Sequence, residues 1–218
     1  MLNSALLLDS ARPFSDDKNM SVGGPEHSSE GVPFLCKKDD SEVVETYEWH
    51  VLRVSYSREL KIKDILDKAG VKTFVPMMWK KIEHEGKIQK KLVPAVNNLC
   101  FVYWTSGAIA EFIKAFGEKS PVHFYWDRTT SSPLTIPEKA MNDFITISSS
   151  MDEDLIYMTE ISVKLREGQI VKVRSGAFAG VEGKIVRIRK SRRLLVELPG
   201  MLAIASTYLR PENIEPIE

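Results

Sequence analysis

Four histidines and two cysteines are the first places to look for metal or nucleophilic chemistry in this 218-residue chain. His27, His50, His84 and His123 are scattered. None has a second histidine or a cysteine three or four positions on, the spacing that puts two zinc ligands on one helix face. Cys36 and Cys100 show no C-x-x-C pattern, so they read as free thiols of a cytoplasmic chain. Cys100 lies inside the apolar run "NNLCFVYW" and is expected to be an inert core thiol. No phosphate-cradling glycine loop and no G-x-S-x-G elbow occurs, and no pair of carboxylates is singled out. The expectation is a protein that is not an enzyme, with no catalytic residue, metal or cofactor.

Residues suited to binding are better represented. The helix expected in "SRELKIKDILDKAG" carries Lys61, Lys63 and Lys68, with Arg58 just before it. Basic residues so placed can hold phosphates without reading sequence, or simply form a solvated face, since Asp64 and Asp67 are interleaved. "RKSRR", Arg189 to Arg193, is a basic hairpin tip. The net charge of zero is a sum of unlike parts. Residues 1–46 hold four basic and nine acidic side chains, residues 47–150 fifteen and eleven, residues 151–165 one and four, and residues 166–218 ten and six. The two compact parts are basic, which favours a polyanionic partner for them.

The elements that must position these residues follow from pattern. Residues 1–46, with "SVGGPEHSSEGVP", lack apolar periodicity and read as a flexible acidic tail. The short apolar patch Ala5 to Leu8 has no basic flank and is ended by Asp9, so it does not read as a signal peptide. No run approaches a membrane span. "YEWHVLRV" alternates as a strand. A helix follows, with Ser57 as expected N-cap and Gly70 as stop. "VKTFVPMMWKKI" and "EHEGKIQKK" predict a strand and a charged hairpin tip around Gly86. "NNLCFVYW" predicts a strand, "SGAIAEFIKAFG" a helix, "PVHFYW" a strand, and Pro137 at N1 opens a last helix. This order predicts an α+β domain over residues 47–147, an antiparallel sheet flanked by helices. Residues 148–164 read as a linker with a short helical stretch. Residues 165–218 hold four short alternating strands separated by "GAFAGVEG", "KSRR" and "PG", the pattern of a small SH3-like β-barrel. Gly176, Gly180 and Gly183 fit its tight turns. Phe178 sits on the loop between them, where it either plugs the barrel end or is offered to a partner.

The pattern V-x-V-x-x-G-x-F-x-G-x-x-G-x-I resembles the KOW motif of NusG and of some ribosomal proteins. Residues 49–147, with "WHVLRV", the basic helix and "VKTFVPMMWKKIEHEGKIQKKLVPAVNNLCFVYW", resemble the NusG amino-terminal (NGN) domain. The chain is most similar in texture to specialised paralogues such as RfaH and the UpxY-type antiterminators of capsule operons.

The resemblance implies a monomer that binds elongating RNA polymerase and suppresses pausing or termination on particular long operons. "VPAVNNLCFV" would line the apolar depression that grips the clamp helices of the β′ subunit. Val96 falls where the family usually has Phe, Asn97 where it has Pro, and Leu99 where it has Tyr. Phe101 matches an aromatic of some members. Arg58, Lys61 and Lys68 would meet the non-template DNA strand, and Phe178 would serve a KOW partner such as Rho or a small-subunit ribosomal protein. The alternative is a KOW-type RNA-binding or ribosome-associated protein that uses "KSRR" and Phe178 on rRNA. A sequence pI near 6.9 is low for that role.

Overall fold

The computed structural model describes residues 46–84, 87–127, 129–159 and 168–217. The expected tail, Thr46 apart, lies outside the described residues, as do Cys36, His27 and the end of the expected linker.

The elements run β1 (Glu48–Val54), α1 (Glu59–Lys68), β2 (Lys72–Phe74), β3 (Met77–His84), β4 (Lys87–Pro94), β5 (Leu99–Trp104) and α2 (Ser106–Lys114). Then come β6 (Val122–Phe124), β7 (Trp126–Asp127), β8 (Ser132–Pro133), β9 (Thr135–Ile136) and α3 (Glu138–Ser148). The remaining strands are β10 (Ile156–Met158), β11 (Ile170–Val173), β12 (Glu182–Ile188), β13 (Ser191–Leu198), β14 (Leu202–Tyr208) and β15 (Ile214–Pro216).

The first sheet has the antiparallel order β2-β5-β1-β6, with β9 also pairing β1. It is the central layer of an α+β domain. Because strand side chains alternate between faces, β1 feeds two cores at once. Leu52 and Val54 join Cys100 and Val102 beneath Ile62 and Leu66 of α1 and Ile109 and Phe112 of α2. Trp49 and Val51 join Phe101 on the opposite face, beneath Met141, Phe144 and Ile147 of α3.

Gly70 and Gly117 follow α1 and α2 at φ 76° and 72°, a conformation that glycine reaches without a Cβ penalty. Thr105 caps α2, its Oγ1 accepting from the Ala108 N–H at 3.3 Å. Two expected helix starts are corrected. Ser57 does not cap α1: Tyr56 and Ser57 both take positive φ, and Arg58 holds the cap position with no side-chain hydrogen bond. Pro137 is the cap residue of α3 rather than its first residue.

The carboxy-terminal strands form a six-stranded antiparallel sheet, β10-β14-β13-β12-β11-β15, the β-rich SH3-like module the alternation predicts. It has two strands more than expected. One is β10, in the segment expected to be a linker with a helical stretch, and it pairs with β14. Gly176 and Gly180 occupy turns at φ 95° and 87°. Gly183 serves differently: a Cβ there would lie 2.5 Å from the Leu195 carbonyl oxygen, so it permits close approach of β12 and β13.

The sheet and the barrel share one continuous core through α3. Phe144, Met141 and Ile147 pack in the same cluster as Val171, Phe178, Leu194, Val196 and Ile204. Among the described residues, no helix is long and apolar enough to cross a membrane.

Candidate functional site

β3 and β4 form a separate two-stranded ribbon, and the chain returns from it through Ala95, Val96, Asn97 and Asn98 into β5. The return is fixed by backbone bonds. The Ala95 N–H donates to the Pro76 carbonyl at 2.8 Å, and the Val54 N–H to the Asn98 carbonyl at 2.9 Å. Asn98 stands at φ 64°, a left-handed turn that Asn tolerates. Its N–H donates to the Glu59 carboxylate at 3.3 Å. Glu59 is only 1% exposed and opens α1, where a carboxylate faces the positive end of the helix.

This arrangement separates the four residues assigned to polymerase binding. Asn97 is exposed and Val96 half-buried against the α3-side core. Leu99 and Phe101 are buried in that core, Phe101 with its ring 5.8 Å from that of Phe144. Val96 and Asn97 are therefore within reach of a partner, while Leu99 and Phe101 support them from beneath.

The basic residues assigned to DNA lie along α1, from its cap residue Arg58 to Lys68 in its last turn. Tyr56 is 81% exposed, and the Arg58 guanidinium stands 5.3 Å from its ring centre, a cation–π contact. Arg58, Lys61 and Lys119 rim a small recess floored by Ile62, Ile65 and Phe116. Lys119 and Tyr56 were not picked out in sequence, since no helical period links them to α1. Lys68 does not line this recess and forms an exposed ion pair with Asp64 at 2.8 Å.

Phe178 is 7% exposed and packs into the joint core between sheet and barrel. Its ring is thus buried in this core and not displayed on the loop surface. Beside it, Asp143 of α3 accepts from Lys139 at 2.6 Å and from the Glu182 N–H at 3.3 Å, and Lys139 also reaches the Gly180 carbonyl at 3.3 Å. The basic tip also changes. Arg189 and Lys190 form the turn at positive φ, but Arg193 is buried and donates to the carbonyls of Asp154 at 2.7 Å and Ser206 at 2.8 Å.

The isolated groups stay isolated. No three His, Cys, Asp or Glu residues gather as a metal site among the described residues. Burial pushes the Cys100 thiol up to about 12, although Lys63 pulls the other way. At neutral pH it carries no reactive thiolate. His50 is buried, and neither ring nitrogen meets a protein partner.

Comparison with known proteins agrees with this architecture. The family profile described as transcription termination factor nusG matches residues 47–145, and the KOW motif matches residues 167–197. No curated protein matches the chain in sequence. A solved structure described as domain interaction in Thermotoga maritima NusG is similar at 16% identity and a TM-score of 0.41, over 79% of this chain and 98% of that one. The chain thus carries a NusG-type segment over residues 47–145 and a KOW motif over residues 167–197, in the order of sheet domain and barrel.

Proposed function

We propose that this protein is a specialised elongation and antitermination factor that rides on RNA polymerase and acts by contact, not catalysis. The observation that carries this reading is the Val96–Asn97 turn. It is an accessible, partly apolar feature inside the matched NusG domain, and it is braced from below by Leu99, Phe101 and Phe144. A rigid support under a small exposed patch suits recognition, because little ordering is left to be done on binding. By family resemblance its partner is the pair of β′ clamp helices. Arg58 and Lys61 would then face the non-template strand, with salt-sensitive affinity. Restrained clamp opening on long operons would follow from the added contact alone.

The ribosome-associated alternative relies on Phe178 and the basic tip. Phe178 and Arg193 are both turned inward, which weakens it.

The test is retention of core RNA polymerase from the same organism on the immobilised full chain, compared with Val96→Asp. Val96 is half-buried, so the variant's fold is checked by its urea midpoint. Retention by the wild type and loss by a folded variant is the expected result. No retention by either would sink the elongation-factor reading. Equal retention by both would keep the function and move the contact elsewhere.

A further inference from the structure

The β3–β4 ribbon has a charge arrangement that the polymerase contact does not use. Its register sets Lys80 directly opposite Lys91, and Lys81 directly opposite Lys90. Like charges in directly opposed positions destabilise a strand pair. Successive residues face opposite ways, so one lysine pair lies on each face of the ribbon. Lys87 joins Lys80 and Lys91 on their face. All five lysines are exposed, against one carboxylate, Glu83, among the ribbon's described residues. Each strand has eight residues, so the ribbon is about 26 Å long at about 3.3 Å per residue.

One lysine is already engaged from outside the ribbon. Lys90 forms an ion pair with Glu153, which lies between α3 and β10. No carboxylate lies within ion-pair distance of Lys80, Lys81, Lys87 or Lys91 among the described residues.

We propose that this ribbon is a contact for duplex DNA, with Glu153 occupying Lys90 in the free protein as a stand-in for a phosphate. The geometry selects the duplex. A two-stranded ribbon fits the B-form major groove, and lysines on both faces then meet the phosphate walls on both sides. The deep, narrow major groove of duplex RNA would not admit it. Single-strand binders depend on rows of stacking aromatics, and the ribbon offers only Trp79 at its base. The contacts are to phosphates, so binding is indifferent to sequence.

The experiment is fluorescence anisotropy of the full chain with a labelled duplex of about 25 base pairs, without polymerase, between about 50 and 200 mM salt. Lys80, Lys87 and Lys91 are replaced together by Gln. The slope of log affinity against log salt is expected to fall by roughly 2.7, about 0.9 for each phosphate given up. Glu153→Gln is expected to act oppositely, tightening binding and steepening the slope by about 0.9 as Lys90 becomes available. All four side chains are exposed, and unchanged urea midpoints would show that the fold is intact. An unchanged slope in the triple variant, or a single strand bound as tightly as the duplex, overturns the proposal. No effect of Glu153→Gln overturns the stand-in role.

Discussion

Lysines on α1 stand beside carboxylates, whereas lysines on the β3–β4 ribbon stand opposite lysines. On α1, Lys68 pairs with Asp64 and Lys63 with Asp67, each one helical turn away. Lys63 also reaches Thr73 of β2, so its charge helps attach the helix to the sheet. On the ribbon the register puts Lys80 against Lys91 and Lys81 against Lys90. The two regions are both rich in lysine, but only α1 carries carboxylates to match, and their logic is opposite. A helical spacing of four lets a chain neutralise itself locally. A hairpin instead fixes its neighbours through the turn, and here it brings like charges together. The difference teaches that a count of basic residues says little about binding until their nearest neighbours are known.

That contrast can be broken in two ways. The larger effect is expected where an unmatched charge would have to form inside the fold. His50 lies on the sheet face covered by α1 and α2, and its ring nitrogens have no protein partner. Burial lowers its pKa, with the Glu48 carboxylate pulling weakly the other way. In the unfolded chain the imidazole titrates near about 6.5. Below that value the unfolded state binds a proton that the folded state resists, so stability falls as pH drops. Urea midpoints are expected to fall between pH 7 and 5.5 in the wild type and to stay nearly level in His50→Leu. An equal fall in both would show that an unmatched buried charge is not what governs this range.

The smaller effect tests the two lysine regions side by side. Lys80→Glu turns a like pair into an opposite one and is expected to stabilise by about 0.2–1 kcal/mol. Lys68→Glu replaces an ion pair with a repulsion on α1 and is expected to destabilise by about 0.4–1 kcal/mol, the sum of the lost attraction and the new repulsion. Chemical denaturation of the two variants checks the opposite signs. The same sign in both would erase the distinction.

Much of the fold was legible in the sequence because periodicity is local. β1 alternates plainly, β5 is an apolar run of strand length, and α1 and α2 end at glycines that take positive φ. What escaped was set by distant partners. Ser57 has the chemistry of a cap, but the Tyr56–Ser57 backbone turns left-handed and moves the cap to Arg58. The three residues of β10 carry too short a pattern to read, and their strand exists because β14 offers an edge. Arg193 reads as part of an exposed tip, yet two backbone carbonyls draw it inside. The candidate site followed the same rule. "VPAVNNLCFV" was legible by resemblance, but which of its residues face outward depends on α3. The ribbon was legible as a charged hairpin, but not its register.

The short connection between α3 and β10 has a consequence for how far the barrel can travel. Since β10 is woven into the barrel sheet, the only slack is residues 149–155, between the end of α3 and the start of β10. Fully extended, those residues span about 25 Å. Even with the Ser148–Tyr157 and Arg193–Asp154 bonds broken, the barrel is leashed within that radius of the helix it packs on. Its local concentration there is on the order of millimolar or more. Any competitor for that helix surface must outbind a neighbour that never diffuses away.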